Sequence, residues 1–174
     1  YRLVFHRYEN NELVENSVNV YPGIGEILKN EVPEIIKGTR IFPEECTYKY
    51  EENIISRQRV YWADDDFVDL FDIKMIYGSQ IGTLDDPYEL VLTKDAALRI
   101  FGKENPIGEK VFHNEGLKFT VTGVCEDLPE NTHLAFDVLV SWKTLNVVMG
   151  DEAADNLQYR WTAHMVQTIP NIDK

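Results

Sequence analysis

Residues 89–124, ELVLTKDAALRIFGKENPIGEKVFHNEGLKFTVTGV, constrain the fold more than any other part of the chain. They read as strand, helix, turn, strand, hairpin and strand, with few gaps. Residues 89–92 are a short apolar run of buried-strand length. Thr93 can cap the following helix by accepting a hydrogen bond from an N–H near its start, and Asp95 puts negative charge in the first turn, where the helix dipole favours it. Ala97, Ile100 and Phe101 stand at i, i+3 and i+4 and make one apolar face. Arg99 lies in the last turn and Gly102 follows Phe101, which predicts a left-handed glycine cap there. Asn105-Pro106-Ile107-Gly108 then turns the chain. Leu117, Phe119 and Val121 alternate with Lys118, Thr120 and Thr122, the pattern of a strand with one wet face, and Asn114-Glu115-Gly116 supplies the hairpin turn before it.

The rest of the chain follows the same mixed pattern. Residues 2–8 and 13–21 read as two strands around a polar turn. Ile24, Ile27, Leu28 and Val32 share one face of a short helix that Pro33 ends. Residues 35–42 resume as a strand, and residues 46–51 and 54–62 form a hairpin around Glu52-Asn53. Asp64-Asp65-Asp66 can cap a short helix that turns Phe67, Leu70 and Phe71 inward. Residues 73–77 make another strand, and residues 78–87 a loop. Beyond the central stretch, residues 135–142 are strand-like, residues 144–149 and 152–157 helical, and residues 159–169 a last strand stopped by Pro170. Strands outnumber helices and the helices are scattered among them, which predicts an α+β fold.

Charge excludes two classes of partner. Against 30 Asp plus Glu stand 17 Lys plus Arg, a formal charge of −13, which opposes nucleic-acid binding and docking on anionic lipid. It suits a domain outside the cytoplasm, where the positive-inside bias does not operate. No run of about 18 apolar residues occurs and no signal peptide opens the chain, where Tyr1 already begins a strand-like run, as expected of a segment of a longer protein. The 174 residues suffice for one large or two small subdomains with a real core.

No spacing in the chain assigns a catalytic, cofactor-binding or metal residue. Asp64, Asp65, Asp66, Asp69 and Asp72 are the densest oxygen donors, but they lack EF-hand spacing. On one helix Asp65, Asp69 and Asp72 would share a solvated face. His6, His113, His133 and His164 form no HxxxH or HExxH pair. His133 is expected to be a hydrogen-bonded turn residue. Ser79 is one residue out of step with a GxSxG elbow, and Gly23-Ile24-Gly25 lacks the third glycine of a dinucleotide loop. A Walker A lysine motif is absent, and carboxylate pairs such as Glu51-Glu52 could serve a glycosidase only through the tertiary fold. Cys46 and Cys125 lack CxxC spacing and read as buried thiols on strands, with a disulfide left open. For Tyr48, Tyr50, Tyr61 and Trp62 two readings stay open, ordinary sheet packing and a partner-contact patch.

Thr93, Ala97, Phe101-Gly102, Asn105-Pro106-Ile107-Gly108 and the segment from Phe119 through Thr120-Val121-Thr122-Gly123 to Val124 form an ordered set. The set continues through Asp127, Pro129, Asn131-Thr132-His133, Phe136-Asp137 and Ser141. Upstream, Tyr1-Arg2, Val32-Pro33-Glu34-Ile35 and Thr39-Arg40 belong to it. Together these resemble the extracytoplasmic (periplasmic) core domain of MacB/FtsX-type ABC transporter permeases, over nearly the whole chain. The resemblance implies a mixed α/β, two-subdomain MacB-like periplasmic core domain spanning residues 1–174. Its membrane-proximal subdomain would comprise approximately residues 1–42 and 64–124, with the remainder contributing to a distal one.

It further implies a non-enzymatic domain at the extracytoplasmic face of the bacterial inner membrane, inserted between two membrane helices of a permease subunit. The implied partners are a second permease subunit, a cytoplasmic ABC ATPase acting through the membrane helices, and an extracytoplasmic partner protein. In the family the chain normally continues with a further helix and strand, so more residues are expected after Lys174. The alternatives are a secreted or periplasmic binding module for peptide or carbohydrate, and a hydrolase whose carboxylates meet only in the fold.

Overall fold

The computed structural model describes residues 1–18, 20, 22–114, 116–129 and 131–150, and the backbone of residues 163–168. The elements in chain order are strands β1 (Phe5–Glu9) and β2 (Glu12–Ser17), helix α1 (Ile24–Glu31), strands β3 (Ile35–Tyr50) and β4 (Asn53–Ala63), and helix α2 (Phe67–Leu70). Strands β5 (Met75–Tyr77) and β6 (Glu89–Thr93), helix α3 (Lys94–Phe101), and strands β7 (Lys110–His113), β8 (Leu117–Cys125) and β9 (Val138–Ser141) follow. Helix α4 (Lys143–Met149) and strand β10 (Ala163–Thr168) complete the set. This is the expected α+β arrangement.

β1 and β2 form a ribbon of their own, turning at Asn10 and Asn11, both with positive φ, which asparagine tolerates. The other strands make one mixed sheet in the order β10-β3-β4-β9-β6-β8-β5, with β7 paired to both β3 and β8. Through β7 the path from β3 by way of β4, β9, β6 and β8 returns to β3. β6 runs parallel to β8 and antiparallel to β9. β6 and β9 are buried on both faces, which is why Leu90-Val91-Leu92 and Val138-Leu139-Val140 are unbroken apolar runs rather than alternating ones.

Two cores flank the sheet. On one side, Ala96, Ala97, Ile100 and Phe101 of α3 pack with Tyr48, Val60, Trp62, Phe119 and Val121. On the other, Phe67 and Val68 of α2 pack with Ile41, Ala63, Leu84, Val91, Phe136 and Leu139. α3 has both predicted ends: the Thr93 hydroxyl accepts a hydrogen bond from Ala96 N at 3.2 Å, and Gly102 closes the helix at φ 69° with its N–H on Leu98 O.

Two local expectations need correction, and a third falls outside the described residues. β3 does not stop at Phe42 but continues through Pro43. Among the described residues β10 flanks β3 only over residues 35–41 and β7 only at Tyr48 and Lys49, so Pro43 stands where that edge is open and a missing N–H matters least. α2 is a single turn; Asp66 precedes it in helical conformation and makes no side-chain cap. It buries Phe67 and Val68, leaving Leu70 and Phe71 half-buried. The expected helix over residues 152–157 lies outside the described residues.

Candidate functional site

A polar side chain that joins several elements is Asp137, in the loop just before β9. Its backbone N–H donates to Arg59 O at 2.7 Å, and its carbonyl accepts from Thr93 N at 3.0 Å, so β4, β9 and the start of α3 are already tied at this residue. The buried carboxylate then accepts from Arg59 N (2.9 Å), Arg59 Nε (3.0 Å), Arg59 Nη2 (3.2 Å) and Arg99 Nη2 (2.7 Å). Arg99 Nη2 also reaches Gln58 Oε1 at 3.0 Å. Burial would raise the Asp137 carboxyl, but hydrogen bonds from the Arg59 side chain and backbone and from Arg99 outweigh it and hold the group below the ordinary carboxylate value. A carboxylate locked ionised by two guanidiniums is a joint between elements, not a proton shuttle.

A cleft of about 350 Å³ opens beside this joint, lined by Arg59, Thr93, Asp95, Arg99, Asp127, Thr132, Phe136 and Asp137 among others. Asp127 supports the start of α3 from outside, its Oδ1 accepting from Asp95 N at 2.9 Å. The fold therefore gathers Thr93, Asp127, Thr132, Phe136 and Asp137, all quoted above for the resemblance, around one end and flank of α3. Arg59 and Gln58 were not legible as members. The available signal was a polar pair inside an otherwise strand-forming run, which alone does not say what it meets.

The acidic run does not converge on a point. Asp64 receives Arg40 in a forked pair, with Arg40 Nη2 at 2.6 Å and Nε at 3.0 and 3.1 Å, plus Arg40 N at 2.7 Å. Asp65 pairs with Lys143 at 2.9 Å, Asp66 with Lys29 at 3.3 Å, Asp69 with Lys37, and Asp72 with Lys74 at 2.6 Å. Each carboxylate has its own cation, and of Asp65, Asp69 and Asp72 only Asp69 lies within the one-turn helix α2, so the three share no helix face.

His6 and His133 are exposed. The turn at His133 is held by Thr132 instead, whose hydroxyl accepts from Leu134 N at 3.1 Å. The side chain of His164 lies outside the described residues. His113 is buried beside Cys46 and Glu44. Ser79 is exposed and accepts from Ile81 N in a local turn. Cys46 and Cys125 are free and buried in opposite cores, so the open disulfide question closes as unpaired. Tyr48 and Trp62 are core residues, 0% and 4% exposed, and Tyr50 and Tyr61 pack half-buried against Phe101 and Phe136; sheet packing, not a contact patch, accounts for the four.

The family model of the MacB-like periplasmic core domain matches residues 9–173. The chain belongs to that family. MacB-like periplasmic core domains are extracytoplasmic parts of ABC-type transporter permeases. Among solved structures, a domain assigned to a permease protein of Porphyromonas gingivalis is similar at TM-score 0.76 and 22% identity, over 92% of this chain and 67% of that one. The periplasmic region of MacB from Actinobacillus actinomycetemcomitans is similar at TM-score 0.70 and 17% identity, over 98% of this chain and 75% of that one. The extracellular domain of the ABC-type transporter YknZ from Gram-positive bacteria is similar at TM-score 0.65 and 17% identity, over 95% of this chain and 81% of that one. At these identities the likeness concerns the fold. No match was found among curated protein sequences. Among the described residues no helix is long and apolar enough to cross a membrane.

Proposed function

We propose that this MacB-like domain is the non-enzymatic outer part of a permease subunit and passes ATP-driven motion of the membrane helices to substrates or partners outside the membrane. Two permease subunits would carry the domain as a pair, a cytoplasmic ABC ATPase would drive it through the membrane helices, and an extracytoplasmic protein would receive the displacement. A transmitter must be stiff, because motion lost to internal bending does no work at its far end. The observation that supports the reading is the Asp137 joint, which locks β4, β9 and α3 at one buried point with the Arg59 and Arg99 guanidiniums.

The division into a membrane-proximal part, residues 1–42 and 64–124, and a distal remainder belongs to this proposal. β3 crosses that division unbroken and β7 pairs back onto it, so the two parts would move together. The hydrolase alternative finds little support at the cleft, where Asp137 is held ionised between arginines.

The test uses the whole transporter in lipid. ATPase turnover and transport are measured with the domain intact, with residues 1–174 exchanged for a flexible Gly/Ser linker, and with Asp137→Ala. ATPase activity is expected to persist in all three, transport to be lost with the linker, and coupling to fall with Asp137→Ala. Normal transport by the linker version would overturn the reading.

A further inference from the structure

Strand alternation puts Glu44, Cys46 and Tyr48 of β3 on one face. β7 lies antiparallel beside the end of that strand, with His113 opposite Tyr48. His113 Nε2 sits 3.4 Å from Cys46 Sγ and 3.9 Å from Glu44 Oε2. One donor atom from each of the three residues lies within 4.8 Å of the others. His113 Nδ1 is engaged by Tyr48 Oη at 3.0 Å, which turns Nε2 toward the thiol and the carboxylate. Trp62 Nε1 donates to Glu44 Oε2 at 2.7 Å, and Asn114 Nδ2 to Cys46 Sγ at 3.5 Å. Cys46, Tyr48 and His113 are buried, whereas the Glu44 side chain is 33% exposed and leaves a route for an ion.

We propose that Glu44, Cys46 and His113 bind a zinc ion through carboxylate, thiolate and imidazole, with water in the fourth position. Sulfur and nitrogen ligands on a tetrahedral zinc stand roughly 3.5 Å apart, close to the observed Cys46–His113 separation. Glu44 needs only a small side-chain adjustment. A thiolate ligand disfavours the hard cations calcium and magnesium, and a mixed sulfur, nitrogen and oxygen set suits zinc. Tyr48, Trp62 and Asn114 supply the outer hydrogen bonds that orient such ligands. When zinc binds, the Sγ–H bond gives way to a zinc–sulfur bond and the proton leaves to solvent.

A reactive Cys–His pair is the competing reading, and burial disfavours it. Cys46 is 2% exposed, so an incoming electrophile has no open approach to its sulfur. The ion would instead staple β3 to β7, the pairing through which the strand path returns on itself.

The test is metal titration of the purified, chelator-stripped chain. Zn²⁺ competed against a chromophoric chelator is expected to load one ion per chain. Co²⁺ is expected to give a thiolate-to-cobalt charge-transfer band and tetrahedral ligand-field bands. Both signals should vanish in Cys46→Ala and persist in Cys125→Ala. Tyr48→Phe should weaken zinc binding about 10-fold, as loss of an outer-shell partner does. Stoichiometric zinc surviving in a folded Cys46→Ala chain would overturn the site. So would a folded wild-type chain that shows no cobalt–thiolate band, a measurement independent of whether any variant folds.

Discussion

Arg99 Nη2 lies 2.7 Å from Asp137 Oδ1, so the last turn of α3 is bonded to the residue just before β9. Arg59 of β4 grips the same carboxylate through Nε and Nη2. Neither arginine is deeply buried, with side chains 41% and 55% exposed, while the Asp137 side chain is 11% exposed. The asymmetry decides which residue matters: either guanidinium can fall back on water, but the carboxylate cannot.

Asp137→Ala should therefore destabilise the chain by about 2 kcal/mol, the scale of hydrogen bonds to a charged group discounted for two screened partners. Urea denaturation measures it. Arg59→Ala and Arg99→Ala are each expected to cost less than Asp137→Ala, and the reverse order would refute the hub.

Acid should remove the same contribution. The folded carboxyl of Asp137 titrates below its unfolded value, so its stabilisation is complete above about pH 4 and is lost as pH falls through the folded pKa. The Tm difference between wild type and Asp137→Asn is expected to be largest near neutrality and to shrink below about pH 4. A difference constant from pH 7 to about pH 3 would show that the charge plays no part.

Two glycines separate backbone strain from crowding. Gly102 has φ +69° and open space where a Cβ would go, whereas Gly78 has φ +90° and would bring a Cβ to 2.5 Å from Thr122 O. Gly102→Ala should cost about 1 kcal/mol through left-handed strain alone. Gly78→Ala adds a clash with the β8 backbone and should cost at least twice as much. Thermal melts of the two variants, side by side, test the ranking.

Phe119 tests the α3-side core. It is fully buried, with its ring centroid 6.0 Å from those of Trp62 and Tyr88 and 5.5 Å from that of His113. Phe119→Ala is expected to cost roughly 3–5 kcal/mol by chemical denaturation. A loss under about 1 kcal/mol would mean that the site collapses around the smaller side chain or that the ring lies elsewhere.

What the amino-acid order determined by itself is local. The Thr93 cap, the apolar face of α3 and the Gly102 ending are contacts within one or two turns of chain, and the alternation of β8 records which face is dry. The ordered motifs also carried the family. What only the tertiary structure decided are the pairings of side chains distant in sequence. Asp137 meets Arg59 across 78 positions and Arg99 across 38, Asp64 meets Arg40 across 24, and Cys46 meets His113 across 67. Local propensity carries no information about which strand lies beside which, or in what register. A shift of β7 by one residue against β3 would turn His113 to the other face, away from Cys46, without changing any local preference. The run of five aspartates makes the same point from the opposite direction. It looks like one cluster in the sequence, yet a helix of four residues and five separate cations disperse it in the fold.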